Sequence, residues 1–401
     1  MKVLILCNKS PFPPKEGGPI AMNTIIEGLI NAGHQVKVLA INSNKYGVDV
    51  KDIPDDYRQK TQIETVYINL AVKPFDAFLN LFTGKSYHVE RFISAAFEQK
   101  LIEILKASQF DIVQLETLYI SPYIQTIRKY SKARIVLRSH NIEHLIWKRV
   151  AEITKNPLKS LYLHHLSRTL KNYELGVLNL YDGIATITKK DGDYFLKQGC
   201  KIPVISIPFG INLEKFKENP GIKTEFPSLF HIGAMNWMPN EEGIKWFVEK
   251  VWPLVTGEFP ALKCYLAGRE MPAWLTNSRI PNLEVIGEVD DAFEFIYSKA
   301  IEIVPLFSGS GIRIKIIEAM AAGRAVISTS IGAEGINIES SENILIADTP
   351  EEFFESIKKC VTNETFCRTL GQNARQLVLR DHSNQKLITR LEGFYHQIIS
   401  R

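Results

Sequence analysis

The chain has 401 residues, enough for two or three domains with sizeable cores. Hydrophobic residues make up 45% and charged residues 23%, an ordinary globular balance, and no apolar run reaches the roughly 18–20 residues that a membrane span needs. The net charge of +4 conceals a split: residues 1–210 carry 28 Lys and Arg against 19 Asp and Glu, and the rest carries 20 against 25, so +9 faces −5. Five scattered cysteines, an odd number without zinc-like histidine spacing, make no disulfide framework and read as core residues in a reducing cytosol.

The first six residues after Met1 are a near-continuous apolar run, which predicts a parallel strand buried on both faces rather than a signal peptide. A proline-rich loop ends in Gly17-Gly18, a helix is expected over 20–31 with Gly33 as its stop, and a second strand over 35–41. This strand–loop–helix–strand order lacks the Gly-x-Gly-x-x-Gly dinucleotide fingerprint, which disfavours a dehydrogenase. Strands are expected at 66–70 and 111–115, with a helix over 89–106 between them. Residues 73–84, rich in Phe and Leu, read either as an amphipathic segment or as a packed helix.

A strand over 133–138 ends at Ser139-His140, and a long helical region follows over 143–176. His140 therefore stands at the carboxyl end of a strand, the rim where open α/β sheets bind ligands; a satisfied turn residue is the plain alternative. The basic run Arg128, Lys129, Lys132, Arg134, Arg138, Lys148, Arg149, Lys155 and Lys159 is either a solvated face or a surface attractive to an anionic membrane or a phosphate-bearing acceptor. No nucleic-acid recognition motif accompanies it.

Another strand is expected at 182–188. Asp191-Gly192-Asp193 reads as a helix cap, not a metal motif. Residues 201–216 lead out of the first domain. The second opens with a strand over 228–232, then Gly233 and a helix capped by Asn240 and ending near 255. Strands at 262–267 and 283–286 end in Gly268-Arg269 and Gly287-Glu288-Val289, so glycines recur along one rim. The tail is helical over 350–361, 364–379 and 384–399.

Residues 301–331 carry the most chemistry. The pattern predicts a buried strand over 301–304, a loop Ser308-Gly309-Ser310-Gly311, a buried helix over 312–322, a stop at Gly323 and a strand over 325–329. Arg313 and Lys315 fall in the first turn, at the positive end of the helix dipole, which normally prefers anions. An external anion resolves that conflict, and the glycine-flanked loop offers amides to a phosphate. A Lys315–Glu318 pair on a solvated edge is the structural alternative.

Glu318-Ala319-Met320-Ala321-Ala322-Gly323-Arg324-Ala325-Val326 resembles the nucleotide-sugar signature of the group 1 (family 4) retaining glycosyltransferases, with Ala325 in place of their proline. The family's first glutamate would fall at Ser310 and is absent; Gly309-Ser310-Gly311-Ile312-Arg313-Ile314-Lys315 resembles a branch that carries Gly-Ser-Gly-x-Arg-x-Lys there. Gly17-Gly18, His140, the 182–188 stretch and Pro208-Phe209-Gly210-Ile211-Asn212 also match the family.

The resemblance implies a GT-B fold of the α/β class, two Rossmann-like domains facing across a cleft. These are an acceptor-side domain over 1–208, a nucleotide-sugar domain over 209–380, and a last helix over 381–401 crossing back onto the first. It further implies transfer of a sugar from a nucleoside diphosphate-sugar with retention and without a metal or other cofactor. Arg313, Lys315 and His140 are the expected catalytic residues. Glu318, Gly311, Ile312, Ser310, Gly309, Gly17, Gly18, Gly233, Arg269 and Val289 are the expected donor contacts, with the base near Arg269 and Val289. The expected acceptor is a glycan or a lipid-linked glycan in cell-surface polysaccharide or glycoconjugate synthesis. The expected location is the cytoplasm, with peripheral contact at an anionic membrane. A catalytically silent nucleotide-sugar-binding subunit and a GT-B epimerase are the other readings.

Overall fold

The computed structural model of the chain describes residues 1–401 apart from 15–16, 45–46, 74, 76–78, 217–220 and 309–311, and apart from the side chains at 50 and 215. Contacts divide it into two compact units, Met1–Gly210 with Asn384–Arg401, and Ile211–Ser383.

The first unit is built on seven parallel strands. In chain order they are β1 (Lys2–Cys7), β2 (Gln35–Ser43), β3 (Glu64–Ile68), β4 (Ile112–Glu116), β5 (Arg134–Ser139), β6 (Gly183–Thr186) and β7 (Val204–Ser206). Their order in the sheet is β3-β2-β1-β4-β5-β6-β7. Strand order reverses between β1 and β4, which pair in parallel from Val3–Ile112 to Cys7–Glu116. Such a reversal opens a crevice at the carboxyl ends of the two strands. One sheet face packs on Phe97, Leu101, Ile127 and Leu170. The other packs on the helix Gly17–Asn31 and on the helix Asn384–Ile399, through Met22, Ile26, Leu391 and Tyr395.

Several elements depart from the expected bounds. Gly17 and Gly18 do not end a loop; they begin the first helix. The helix expected over 89–106 is a short turn at Tyr87–Glu90 and a separate helix Ala95–Ala107, whose Phe97 amide donates to Ser94 Oγ at 3.4 Å. The region 143–176 is a hairpin of two helices, Glu143–Ile153 and Pro157–Gly176. Its break lies at Asn156-Pro157, where the asparagine accepts from the Lys159 amide and the proline occupies the first helical turn. The strand β7 lies inside a stretch read as a connection.

The second unit has six parallel strands, β8 (Ser228–Ile232), β9 (Lys263–Ala267), β10 (Leu283–Gly287), β11 (Ile301–Val304), β12 (Ala325–Ser328) and β13 (Leu345–Ile346). They are ordered β10-β9-β8-β11-β12-β13, so the same reversal recurs between β8 and β11. Its core gathers Phe247, Trp252, Leu266, Ile303, Ile327 and Phe353. The helix expected to end near residue 255 contains a π-helical segment at Phe247–Val251, between Met238–Trp246 and Trp252–Glu258. There the Phe247 carbonyl accepts from the Trp252 amide five residues on, and Pro253, which carries no amide hydrogen, follows in the first turn of the next segment.

Candidate functional site

In both units the chemistry collects where strand order reverses. In the second unit, the helix Ile314–Ala321 starts with Arg313 as its N-cap residue, one to two residues later than the spacing predicts. Ile316, Ile317, Ala319, Met320 and Ala321 are buried, and that packing fixes the direction of the two preceding cations. Lys315 Nζ donates to Asn240 Oδ1 at 2.9 Å and lies 3.1 Å from His231 Nε2. The other His231 nitrogen, Nδ1, lies 2.8 Å from the Ile303 carbonyl, so β8 and β11 share this imidazole. Asn240 is not the helix cap expected of it. It lies inside the helix Met238–Trp246 and also donates from Nδ2 to the Ala234 carbonyl at 2.8 Å.

Gly233 makes this arrangement possible. A Cβ there would overlap Lys315 Nζ and approach Asn240 Nδ2 to 2.8 Å. Gly268, at φ +139°, lies so close to the Gly233 carbonyl that a Cβ at 268 would collide with it. Its amide donates to the Gly287 carbonyl at 2.7 Å, and the Met235 amide donates to the Arg269 carbonyl at 2.9 Å. The glycines at the ends of β8, β9 and β10 are thus bonded into one rim. Arg269 is exposed on it and Val289 half-buried beyond it.

Burial first, and then the Arg313 guanidinium, pull Lys315 down to about 8, against the opposing pull of Glu302 and Glu318. Glu302 is fully buried on β11, and burial pushes its carboxyl well above the usual range despite Lys315. Burial also holds His231 well below its ordinary value, helped by Lys315. Below about pH 8 the amine is therefore a cation held by neutral acceptors, and an anion beside it would favour that charged form further. Arg313 is 5% exposed and its guanidinium stands 5.6 Å from the Trp237 ring centroid, a cation–π contact.

Sequence reasoning missed Trp237, His231 and Glu302. A glutamate inside the apolar strand Ile301-Glu302-Ile303-Val304 was the available signal. Of the remaining donor candidates, Ile312 and Glu318 are half-buried, while Gly309, Ser310 and Gly311 lie outside the described residues.

In the first unit, His140 follows β5 and is 12% exposed at its side chain. Its Nε2 lies 2.6 Å from Glu116 Oε2, at the end of β4. Glu116 is fully buried and also accepts from Gln114 Nε2 at 2.6 Å and from Arg138 Nη1 at 3.5 Å. Burial alone would raise the Glu116 carboxyl; Arg138, His140 and Gln114 outweigh it and hold it below the usual range. Arg138 Nη1 also donates to the Ala21 carbonyl at 3.2 Å, tying the cluster to the helix that begins at Gly17. Gly17 has open space around its α-carbon, while a Cβ at Gly18 would press on Lys9 at 3.0 Å.

Arg138, expected on a basic face, is buried, and Arg128 and Arg134 both meet Asp182, at 2.8 and 3.6 Å. Asp191 does not cap its helix: Thr188 does, accepting from the Asp191 amide at 3.0 Å, and Asp193 pairs with Lys189 at 2.7 Å. All five cysteines are buried and free.

Residues 226–363 match the family model described as "Glycosyl transferases group 1". A 44.6 kDa protein in the cps region of Klebsiella pneumoniae is 22% identical over 400 residues, covering 97% of this chain and 98% of its own. Among solved structures, the sucrose-phosphate synthase from Thermosynechococcus elongatus aligns with a TM-score of 0.71 at 15% identity, over 100% of both chains. Anabaena HepE, in complex with UDP and glucose, aligns at 0.66 and 13%, over 99% of this chain and 100% of its own. The chain has the α/β fold of these GT-B proteins.

Proposed function

From a chain with the GT-B fold whose residues 226–363 match the group 1 glycosyltransferases, we propose that this glycosyltransferase moves a sugar from a nucleoside diphosphate-sugar, with retention and without a metal ion. The observation that carries this reading is the pairing of Arg313 and Lys315 at the start of the helix Ile314–Ala321, beside a rim of glycines at the β8–β11 reversal. Cleavage of the bond between the sugar C1 and the phosphate oxygen leaves negative charge on the diphosphate. Arg313 and Lys315 would hold that charge, the kind of stabilisation that contributes most to such reactions. Glu318, one turn further along, would accept from the ribose hydroxyls, and the base would lie near Arg269 and Val289.

In the first unit, His140 would contact the donor sugar, and the acceptor hydroxyl would attack from the face the diphosphate leaves, giving its proton to the departing phosphate. The acceptor is a glycan or a lipid-linked glycan, used on the cytoplasmic side in making a cell-surface polymer. The Klebsiella relative's place in a cps region supports that role, and the UDP in the HepE structure supports a nucleotide donor. A panel of nucleoside diphosphates and their sugars, read by thermal shift, tests the reading, because a ligand of the folded state raises apparent stability with occupancy. Absence of any shift in the wild-type protein would sink it.

A further inference from the structure

The hairpin that follows His140 presents apolar side chains to solvent on an ordered frame. Its inner face is packed: Ala151, Leu163 and Leu166 are buried with Tyr87 and against Trp147. Its turn is fixed by hydrogen bonds from Thr154 Oγ1 to the Val150 carbonyl at 2.7 Å and from Ser160 Oγ to the Ala151 carbonyl at 2.8 Å. Yet on the outer face Ile153 is 70%, Leu158 80% and Leu161 70% exposed. Leu158 and Leu161 line a cavity of about 530 Å³ together with Leu81, Tyr162 and Arg168, and Phe82, next to Leu81, is 76% exposed. A folded chain gains nothing by holding such groups in water; a contiguous apolar patch on an ordered frame marks a surface that something else covers.

The charge around the patch says what covers it. Residues 148–171 contain six basic side chains, Lys148, Arg149, Lys155, Lys159, Arg168 and Lys171, and one acid, Glu152. All six are exposed, and Glu152 is 3.7 Å from Lys148. A second copy of this chain would bring two such cationic rims together, which disfavours self-pairing. Exposed aliphatic side chains at the tip and exposed Lys and Arg along the same hairpin are the two components of reversible docking to an anionic bilayer surface.

We propose that the tip of the hairpin Glu143–Gly176, with Leu81 and Phe82, docks on an anionic lipid surface. Ile153, Leu158 and Leu161 enter the headgroup boundary, and Lys155 and Lys159 meet lipid phosphates. This rests on the membrane contact expected of the glycosyltransferase reading but assigns it to a surface other than the Arg128–Arg134 face, whose arginines are engaged with Asp182. The hairpin leaves the sheet at the rim that bears His140, so docking would bring that rim to acceptors carried in the bilayer.

Cosedimentation of the full chain with vesicles of phosphatidylcholine alone, and of phosphatidylcholine with phosphatidylglycerol, tests this. The wild-type protein is expected in the pellet only with the anionic vesicles, with partitioning reduced but not lost at physiological salt, where the Debye length is about 8 Å. Lys155→Glu with Lys159→Glu is expected to lower partitioning by at least about fivefold per lysine, and Leu158→Ser with Leu161→Ser to lower it at every salt concentration. All four positions are exposed, so circular dichroism and thermal unfolding should match the wild type. Wild-type protein left in the supernatant, or variants that pellet like it, would overturn the proposal. So would wild-type dimers, seen by sedimentation velocity, that Leu158→Ser with Leu161→Ser dissolves. Nucleotide thermal shift on the same samples separates the two readings: loss of vesicle binding with nucleotide binding intact refutes only this surface.

Discussion

Glu116, fully buried, and His140, partly exposed, form a couple at the rim of the first sheet, Oε2 to Nε2 at 2.6 Å. With the carboxylate ionised, it accepts from Nε2–H and leaves Nδ1 as the ring's other hydrogen-bonding atom. Gln114 and Arg138 hold the carboxylate in turn, and the hydroxyl of Tyr395, in the helix Asn384–Ile399, donates to Gln114 Oε1.

Glu116→Gln is therefore expected to lower turnover by about 10-fold or more through the orientation of His140, with nucleotide affinity unchanged. The proton linkage has a definite sign. The folded-state value of Glu116 is depressed, so its contribution to stability is full above the usual carboxylate range and fades as pH falls below it. Urea unfolding from pH 7 down to pH 3 should show a shallower acid-side loss in the glutamine variant than in the wild type. Parallel profiles would show that folding leaves the Glu116 carboxyl unshifted.

Lys315 has the opposite linkage. Its folded-state value near 8 lies below the ordinary lysine value, so the unfolded chain binds the proton more tightly between about pH 8 and 10.5. The buried amine then costs stability below pH 8, and that cost is relieved as pH rises through the window. Lys315→Met should raise thermal stability at pH 7 by about 1–3 kcal/mol while turnover falls by about 10²–10³. Diphosphate affinity of the wild type should weaken above pH 8, as the amine loses its charge. A less stable Lys315→Met would mean that its hydrogen bonds to Asn240 and His231 outweigh the cost of desolvation.

Arg313→Ala should lose turnover by about 10²–10³ with the fold intact. Trp237→Ala, which removes the ring beside the guanidinium, should cost about 0.5–2 kcal/mol of diphosphate binding, because it leaves the charge but not its aromatic support. If isothermal titration shows equal losses for the two variants, Trp237 contacts the ligand itself.

Gly233→Ala and Gly268→Ala separate a site defect from a fold defect. The first places a methyl where Lys315 Nζ lies, and the lysine can swing away; donor binding should drop while the unfolding midpoint changes little. The second forces a side chain onto φ +139° and into the Gly233 carbonyl, and should destabilise the second unit by several kcal/mol. Denaturant titration and nucleotide binding on both variants would show the contrast.

Turnover is expected to survive EDTA, with Arg313 and Lys315 holding the charge that a divalent ion would otherwise hold. Loss on chelation, restored by magnesium, would remove the metal-free reading.

The architecture was legible because its signals are local. Uninterrupted apolar runs such as Val3–Cys7 mark strands buried on both faces, and Gly33 and Gly323 mark helix stops. Most of the site was not local. Lys315 reaches Asn240, 75 residues earlier, and His231, 84 residues earlier, a meeting created only by the neighbouring of β8 and β11. Asn240 read as a cap because capping is the commonest local use of asparagine before a helix, and a distant lysine took its side chain instead. Arg138 read as surface charge because periodicity does not reveal a buried carboxylate on the next strand. The detectable traces were Glu116 and Glu302, acids set in largely apolar strands: Arg138, His140 and Gln114 hold Glu116 as a carboxylate, whereas burial pushes the Glu302 carboxyl toward its neutral form.

The helix Asn384–Ile399 lies in the first unit although the whole second unit precedes it in the chain. Gly28 and Gly183 lie against its Ile388 and Ile398, where a Cβ at either glycine would clash, and Tyr395 is fully buried beside Gln114. During synthesis, then, the first unit to emerge from the ribosome is the last to be finished. Its sheet waits with one face only partly covered, by the helix Gly17–Asn31, while residues 211–383 are made, which exposes the nascent chain to premature association. Shortening the chain before residue 384 would damage the half of the molecule translated first and disturb the support of His140, while the 211–383 unit kept all its own strands.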